Sequence, residues 1–587
     1  MLVYREQRRQ ADPRVLLATL RECLDELAPS HGDVHDRVVR VLMAVGTLET
    51  GIADAVHGEA DCLHPLTGAL RRASVAAGHL LWHAWHGNHE SLRPWTARAQ
   101  AALASLEAAD LPATVETRVP EGYAHYGLFP ETYQAAAVRC ARALRMHRAV
   151  CIGIRSIGTS LSGVVTATLE ELGIQVLSLT VRPRGHPFDR RVRLAPALQA
   201  LLRRHAASPF LLVDEGPGLS GSSFAGTARA LSELGVPDER IVLLPSWQTD
   251  GGSLRSEDAR ARWGRHPQFT ATFEEVWIET GRLADLVPGS TLSDLSAGRW
   301  RPRLLPDPAG YPPVQPQHER RKLLARRSSH GTPQPDLLLR FAGLGRHGDT
   351  RLCRARTLAD AGFTPPPLGL AHGFLIQEFR PGAPVAAGEP SSELVGTMAR
   401  YLAHVRRCFP AESSSAQDLR EMVVANVREG LGAPAADRLT TRLAAAGSAP
   451  QEAPSALDGR MLRHEWLQTS QGYLKADALD HHDDHFYPGP QDIAWDVAGT
   501  CLEFGLARAA RRGFVELYRR QSGDRDIVGR LPFHALAYLA FRLGYATLAA
   551  ESLGDSPDGA RFRAEVVRYR RLLDAELTPD AAAQWHG

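Results

Sequence analysis

The 587-residue chain is 44% apolar and 23% charged, with a formal net charge of +2. That composition is globular, the length implies about three or four domains, and so small a charge argues against a general nucleic-acid binder. Seven scattered cysteines with no CxxC pair argue against a disulfide framework or a thiolate zinc site. A reducing, cytoplasmic setting is therefore expected.

The opening MLVYREQRRQ has no apolar run of the signal-peptide kind. Residues 1–115 read as a helical N-terminal domain, because apolar residues recur at three-to-four spacing in RVVRVLMAVGTLETGIADAVHG and LTGALRRASVAAGHLLWHAWHG. His57, Glu59, Asp61 and His64 crowd the join between these helices. They read as a polar loop, with a metal site as the alternative.

From 116 to 285 short β-prone runs alternate with helical ones, which predicts a mostly parallel sheet covered by helices. Ligands of such sheets bind beyond the carboxyl ends of the strands. At that place stands LLVDEGPGLSGSSF, residues 211–224. Asp214 and Glu215 can accept hydrogen bonds from paired sugar hydroxyls. Gly216, Gly218 and Gly221 permit tight turns. Ser220, Ser222 and Ser223, with the start of the next helix, form an anion cradle. Arg155, Ser156, Gly158, Thr159 and Ser160 form a second strand-to-helix turn. Arg182, Arg184, His186, Arg190 and Arg191 form a basic loop suited to charge on a leaving group. Glu121, Tyr123, Tyr126 and Tyr133 line a pocket or belong to the core. Trp247 and Arg255 stand where they could close the site.

Residues 116–275 resemble type I phosphoribosyltransferases, and most closely a divergent branch associated with bacterial tellurium resistance. The cradle here is Ser220-Gly221-Ser222-Ser223 and its turn is one residue longer than usual. The resemblance implies that Asp214 and Glu215 hold ribose hydroxyls, residues 220–223 the 5′-phosphate, and the 155–160 turn the diphosphate. It implies phosphoribosyl diphosphate as substrate, magnesium as cofactor, and Arg182 and His186 beside the reacting centre.

Residues 286–330 are rich in Pro, Arg and Ser and read as a linker or extended wrap. Residues 331–587 form a further unit, with a loop near 443–456. Within it, LPFHALAYLAFRLGYATLAA carries His534 and Arg542 and reads as a buried helix rather than a membrane span. YLKADALDHHDDHFYPGPQDIAWDVAG concentrates acids and histidines. Asp477, Asp480, Asp483, Asp484, Asp492 and Asp496 suit magnesium or base chemistry, while His481, His482 and His485 suit a transition metal.

Residues 318–550 resemble aminoglycoside-phosphotransferase-like kinases, whose catalytic Asp follows His-Gly and precedes an Asn by five residues. On that pattern Asp477 is the candidate base, His482 stands for the Asn, Asp484 is the metal ligand, and Asp492 and Asp496 are the closing acids. The usual hairpin before the metal Asp is then almost absent. Arg340 takes the place of the phosphate-pairing Lys, and Glu378 lies at the hinge. ATP is implied as a further ligand.

The expected fold class is multidomain α/β and α+β: helical N-terminal region, parallel-sheet phosphoribosyltransferase-like domain, and bilobal kinase-like C-terminal domain. The expected function is phosphoribosyl transfer to a small-molecule acceptor, coupled to a kinase-like step on a nucleoside-like metabolite. A phosphoribosyl-diphosphate- or nucleotide-binding regulatory protein with little turnover is the alternative. No membrane partner is expected, and a homo-oligomer is compatible with the sequence.

Overall fold

The computed structural model describes all residues except 6, 28–33, 108, 328–334, 413–415, 446–452, 579–580, 582 and 587. The N-terminal region runs β1 (Arg8–Ala11), α1 (Pro13–Asp25), α2 (Val34–His57), α3 (Pro65–Trp85), α4 (Leu92–Glu107) and β2 (Val115–Arg118). Asp12 caps α1 by accepting the Arg14 N–H, and Pro13 occupies the first turn, where no amide is needed. β1 pairs antiparallel with β2, closing the region on itself.

The next unit is α5 (Pro130–Leu144), β3 (Arg148–Ile154), α6 (Ile157–Glu171), β4 (Gln175–Val181), the hairpin β5 (Arg184–His186)–β6 (Asp189–Arg191), α7 (Pro196–Arg204), β7 (Phe210–Val213), α8 (Ser222–Glu233), β8 (Ile241–Leu244) and α9 (Glu257–Trp263). Strands β4-β3-β7-β8 form a four-stranded sheet, parallel throughout. β7 and β8 are buried at every position, as a sheet covered on both faces requires. One face packs in a core shared with α2, α3, α5 and α6, and that core continues into Leu323, Leu339 and Phe374 of the following unit. The helical region is thus continuous with the sheet and has no separate core.

The third unit begins earlier than 331. β9 (Ser290–Asp294), within the stretch read as linker or wrap, is the edge strand of a five-stranded antiparallel sheet. After α10 (Arg301–Leu304), that sheet is completed by β10 (Lys322–Arg327), β11 (Leu337–Phe341), β12 (Pro367–Ala371) and β13 (Phe374–Glu378), with α11 (Arg346–Asp360) between β11 and β12. The expected boundary at 330/331 lies outside the described residues. A second lobe follows: β14 (Ala383–Pro384), α12 (Ser392–Cys408), α13 (Ala416–Leu431), α14 (Ala433–Ala445), the hairpin β15 (Trp466–Thr469)–β16 (Gly472–Lys475), α15 (Ala494–Glu503), α16 (Arg508–Ser522), α17 (Ile527–Leu553), α18 (Pro557–Glu576) and α19 (Ala583–His586). Of the loop expected near 443–456, residues 446–452 lie outside the described residues. The apolar segment 531–550 falls within α17 and is mostly buried; among the described residues no helix is long and apolar enough to cross a membrane.

α3 and α6 touch backbone to backbone. A Cβ on Gly78 would lie 2.4 Å from the Gly163 carbonyl oxygen, so only glycine fits. Gly78→Ala is expected to lower the melting temperature by several degrees, since overpacking costs about 1–3 kcal/mol and outweighs a propensity gain of roughly 1 kcal/mol. Gly513→Ala, in α16 with nothing within 4 Å of the added Cβ, is the control and should hold or raise it. Thermal unfolding of the two variants checks this.

Candidate functional site

β7 carries Asp214 and Glu215 to the carboxyl edge of the parallel sheet, where both keep partial exposure. Asp214 Oδ1 accepts the Glu215 amide at 2.9 Å, and Glu215 Oε2 accepts the Gly122 amide at 3.2 Å. Asp214 Oδ2 and Glu215 Oε1 accept no hydrogen bond from the described residues. Burial pushes the Asp214 carboxyl up to about 6, against the Glu215 amide and the charges of Arg182 and Arg190. Burial, then the Glu121 and Asp214 charges, push Glu215 up to about 8.

The bend beyond them starts at a cis Gly216–Pro217 bond and takes positive φ at Gly218 and Gly221. Gly221 has no side chain to cap α8, and the Ser222 amide donates to Ser220 Oγ at 3.3 Å, which leaves the Ser223 and Phe224 amides at the helix start. Ser220 Oγ lies 3.0 Å from Ser222 Oγ, and Ser222 Oγ donates to the Pro187 carbonyl at 2.6 Å. The basic hairpin therefore rests on the cradle. Its Arg190 carbonyl occupies the space that a Cβ on Gly226 would need, at 2.2 Å. Arg191 is exposed and pairs with Asp189. Arg190, whose charge acts on Asp214, makes no ion pair among the described residues. His186 is exposed at the hairpin and accepts the Phe188 amide. Ser223 is partly exposed beside the bend, and the Leu219 and Ser220 carbonyls are held by the amides of Arg255 and Ser256. Trp247 is exposed.

Two predicted ligand-binding cations are structural instead. Arg155 is fully buried and pairs with Asp54 at 2.8 Å and with Asp61; Arg182 grips Asp54 and the Arg155 carbonyl, and its amide donates to Asp61 Oδ2 at 2.7 Å. Arg184 donates to the Gly58 carbonyl. His57 lies between Asp61 and Thr67, so the 57–61 cluster is a buried ion network joining α2 to the sheet. Residues 58–64 are the polar connection between α2 and α3 expected from sequence, tied to the sheet through Asp61. Glu59 is exposed and pairs with Arg193, while His64 caps α3. In the 155–160 turn only Ser156 is exposed. Thr159 and Ser160 are buried and bonded to Thr50 and Tyr123, and Gly158 sits so close that a Cβ would lie 2.5 Å from the Val213 carbonyl. Tyr123 and Tyr133 are core residues, the latter donating to the Asp214 carbonyl at 2.7 Å.

The second site is a cavity of about 890 Å³ between the two lobes of the third unit. Arg340 of β11 and Glu378 at the end of β13 both line it. Residues 295–320 cross its mouth: Trp300 Nε1 donates to Glu319 at 2.7 Å, Arg301 pairs with Asp558 of α18 at 2.6 Å, and His318 meets the Tyr545 hydroxyl at 3.1 Å.

The kinase pattern falls in another register from the one expected. The hairpin β15–β16 lies directly before Asp477, so the acid expected as the base follows a hairpin in the chain. The place before the hairpin is held by Asp458-Gly459-Arg460, with Glu465 five residues after Arg460. Asp496 closes the loop by accepting the amides of Asp458 and Gly459, each at 2.9 Å. Burial and the neighbouring Asp458 push Asp496 up to about 7. Arg460 thus precedes the hairpin, five residues before Glu465. The signal that could have revealed this was WLQT/GYLK flanking a Ser-Gln turn, which is a hairpin pattern.

Asp484 and His482 do not form the expected metal pair. Asp484 is buried against Arg320 at 2.8 Å, and the His482 imidazole is held neutral by burial and by Arg354 and Arg351. Asp483 pairs with Arg351 of α11, and His485 meets the Tyr126 hydroxyl at 2.9 Å. Asp492 pairs with Arg530 at 2.7 Å and accepts the Ala494 amide at the start of α15.

Glu465, Asp477 and His481 place three donor atoms within 4.8 Å of one another. Their chemistry does not fit a divalent ion. Arg340 Nη2 lies 2.6 Å from Asp477 Oδ1, and Lys475 Nζ 2.8 Å from Glu465 Oε2. Burial and Arg460 oppose a charged His481, yet Asp477 and Asp458 push its imidazole up to about 9, so near neutral pH it donates rather than ligates. Protein cations already fill the places of metal ions.

No protein-family model matches the chain, and no curated protein matches it. Among solved structures, similarity is found to a choline/ethanolamine kinase family protein from Mesorhizobium loti (18% identity, 49% of this chain and 97% of that one, TM-score 0.31). It is found also to choline kinase from Cryptosporidium parvum (11%, 52% and 99%, 0.34) and to a thermostable mutant of the aminoglycoside phosphotransferase APH(4)-Ia (14%, 50% and 97%, 0.31). This likeness concerns about half of the chain and assigns neither a substrate nor a residue.

Glu215 carries a test of its own. Its folded value of about 8 exceeds the ordinary 4.5, so between those values the folded state holds a proton that the unfolded state has lost, and stability falls as pH rises. Glu215→Gln removes that loss. Its melting temperature is expected to gain on the wild type by on the order of 2 °C between pH 5 and pH 8.5. Calorimetry at the two pH values checks it.

Proposed function

We propose that the chain is a transferase that moves a phosphoribosyl group from phosphoribosyl diphosphate to a small-molecule acceptor in the sheet-edge crevice. The observation that carries this reading is the placement of two partly exposed acids and a hydroxyl-rich bend at one strand end, under a basic hairpin. The free oxygens of Asp214 and Glu215 would accept the ribose hydroxyls. Ser220, Ser223 and the first amides of α8 would hold the 5′-phosphate. Arg190, which takes over the role expected of Arg182, would face charge developing on the departing pyrophosphate, with His186 beside it. The carboxylate oxygens of Asp214 and Glu215 are hard donors and would be the residues to hold magnesium. Bound there, magnesium would supply neutralising charge to the leaving group.

A second reading, ATP-dependent phosphorylation of a small molecule in the interlobe cavity, is favoured by the two-lobed course of the chain and by Asp477 after its hairpin. On the kinase resemblance the base would stand before that hairpin, where this chain has Arg460, and this speaks against phosphoryl transfer there. ADP formation from ATP and magnesium, with candidate alcohols and amines, would support that reading.

Titration calorimetry with phosphoribosyl diphosphate and magnesium tests the main reading. Binding is expected, with Asp214→Asn weakening it roughly tenfold or more near neutral pH, since hydrogen bonds to charged groups are worth about 1.5–3 kcal/mol, and Glu215→Gln weakening it less, because Glu215 holds its proton up to about pH 8. No heat from the folded wild type overturns the proposal. Pyrophosphate release on adding acceptors separates turnover from the binding-only alternative.

A further inference from the structure

Among the described residues, one partly buried cation of the interlobe cavity has neither a carboxylate nor a carbonyl partner for its side chain. Arg320, Lys322, Arg340, Lys475, Arg542 and Arg568 line the space, and each has a carboxylate within 4.0 Å. Arg463 spends its donors on the carbonyls of Ala386, Gly388, Glu503 and Phe504. Arg460 also lines the cavity, is partly buried, and has no carboxylate partner among the described residues. Its guanidinium lies 6.0 Å from the Tyr545 ring centroid. Arg571, exposed at the edge, is a second lining cation without such a partner. A cation held in a cavity without a counter-charge is an anion site waiting for its ligand.

The charge balance limits the ligand. Asp477 and Glu465 are already matched by Arg340 and Lys475, so no divalent ion is available to carry a triphosphate past them. A single phosphate bears about −1.5 to −2 near neutral pH and suits one or two free guanidiniums. The volume of about 890 Å³ admits a nucleotide-sized molecule, and Trp300, Tyr311, Phe379 and Tyr545 give it aromatic walls.

We propose that the interlobe cavity is a metal-independent binding site for an organic monophosphate of nucleotide size, with the Arg460 guanidinium as its phosphate anchor. The site is distinct from the sheet-edge crevice and stands whether or not phosphoribosyl transfer takes place there.

Titration calorimetry of the full-length chain with AMP, in excess EDTA and then in magnesium, tests it. The expected result is one dissociation constant in both buffers, within about twofold, raised roughly tenfold or more by Arg460→Ala and less by Arg460→Lys. Asp214→Asn should leave this binding in place. The side chain of Arg460 makes no ion pair, so unchanged melting temperatures are expected for both Arg460 variants and show that they are folded. Binding that requires magnesium overturns the proposal, as does binding indifferent to Arg460→Ala. No binding by the folded wild type also overturns it. So does an AMP signal lost in Asp214→Asn and kept in Arg460→Ala, because it would belong to the sheet edge.

Discussion

A buried ladder of alternating charges holds the third unit together: Asp477, Arg340, Asp480, Arg320, Asp484. Its contacts run 2.6, 2.7, 2.7 and 2.8 Å in that order. Each member comes from a chain segment that would otherwise be free to part: β11, the stretch before β10, and the acidic loop after β16. Removing one member of such a buried pair typically costs about 3–5 kcal/mol, because the partner is left charged and unsolvated. The ladder also decides chemistry. Carboxylates that could have held metal ions spend their charge on guanidiniums.

The ladder continues toward the other site. Residues 121–126 lie between the two: the Gly122 amide donates to Glu215, the Ala124 carbonyl accepts Arg351, His125 contacts Arg320 and Arg351, and Tyr126 meets His485. The first residues of the chain brace the same place, with Arg5 donating to the carbonyls of His482, Asp484 and Phe486. The crevice of the parallel sheet and the interlobe cavity are thus parts of one packed body. A displacement of residues 121–126 would be felt on both sides, since close packing passes strain on rather than absorbing it.

How much was legible in the sequence follows from whether the signal was local. β7 and its bend were readable because a buried strand, two acids and a glycine-serine turn are contiguous and each acts on its immediate neighbours. Arg155 and Arg182 misled because a basic loop looks the same whether its cations face solvent, ligand or a distant acid. Their partners Asp54 and Asp61 lie about a hundred residues away on another element. The kinase-like register slipped for a related reason. The acids 477–496 form the densest motif, while the decisive group, Arg460, is a single arginine in a sequence full of them.

The sequence by itself determined the alternation of strand and helix and the sheet-edge carboxylates with their hydroxyl bend. These depend on periodicity and on near neighbours. Only the tertiary structure decided which cations are already neutralised, that the 286–330 stretch supplies an edge strand and the cover of the cavity, and that Arg460 lines that cavity. Charge pairing and burial are properties of what lies close in space, and chain order does not carry that distance.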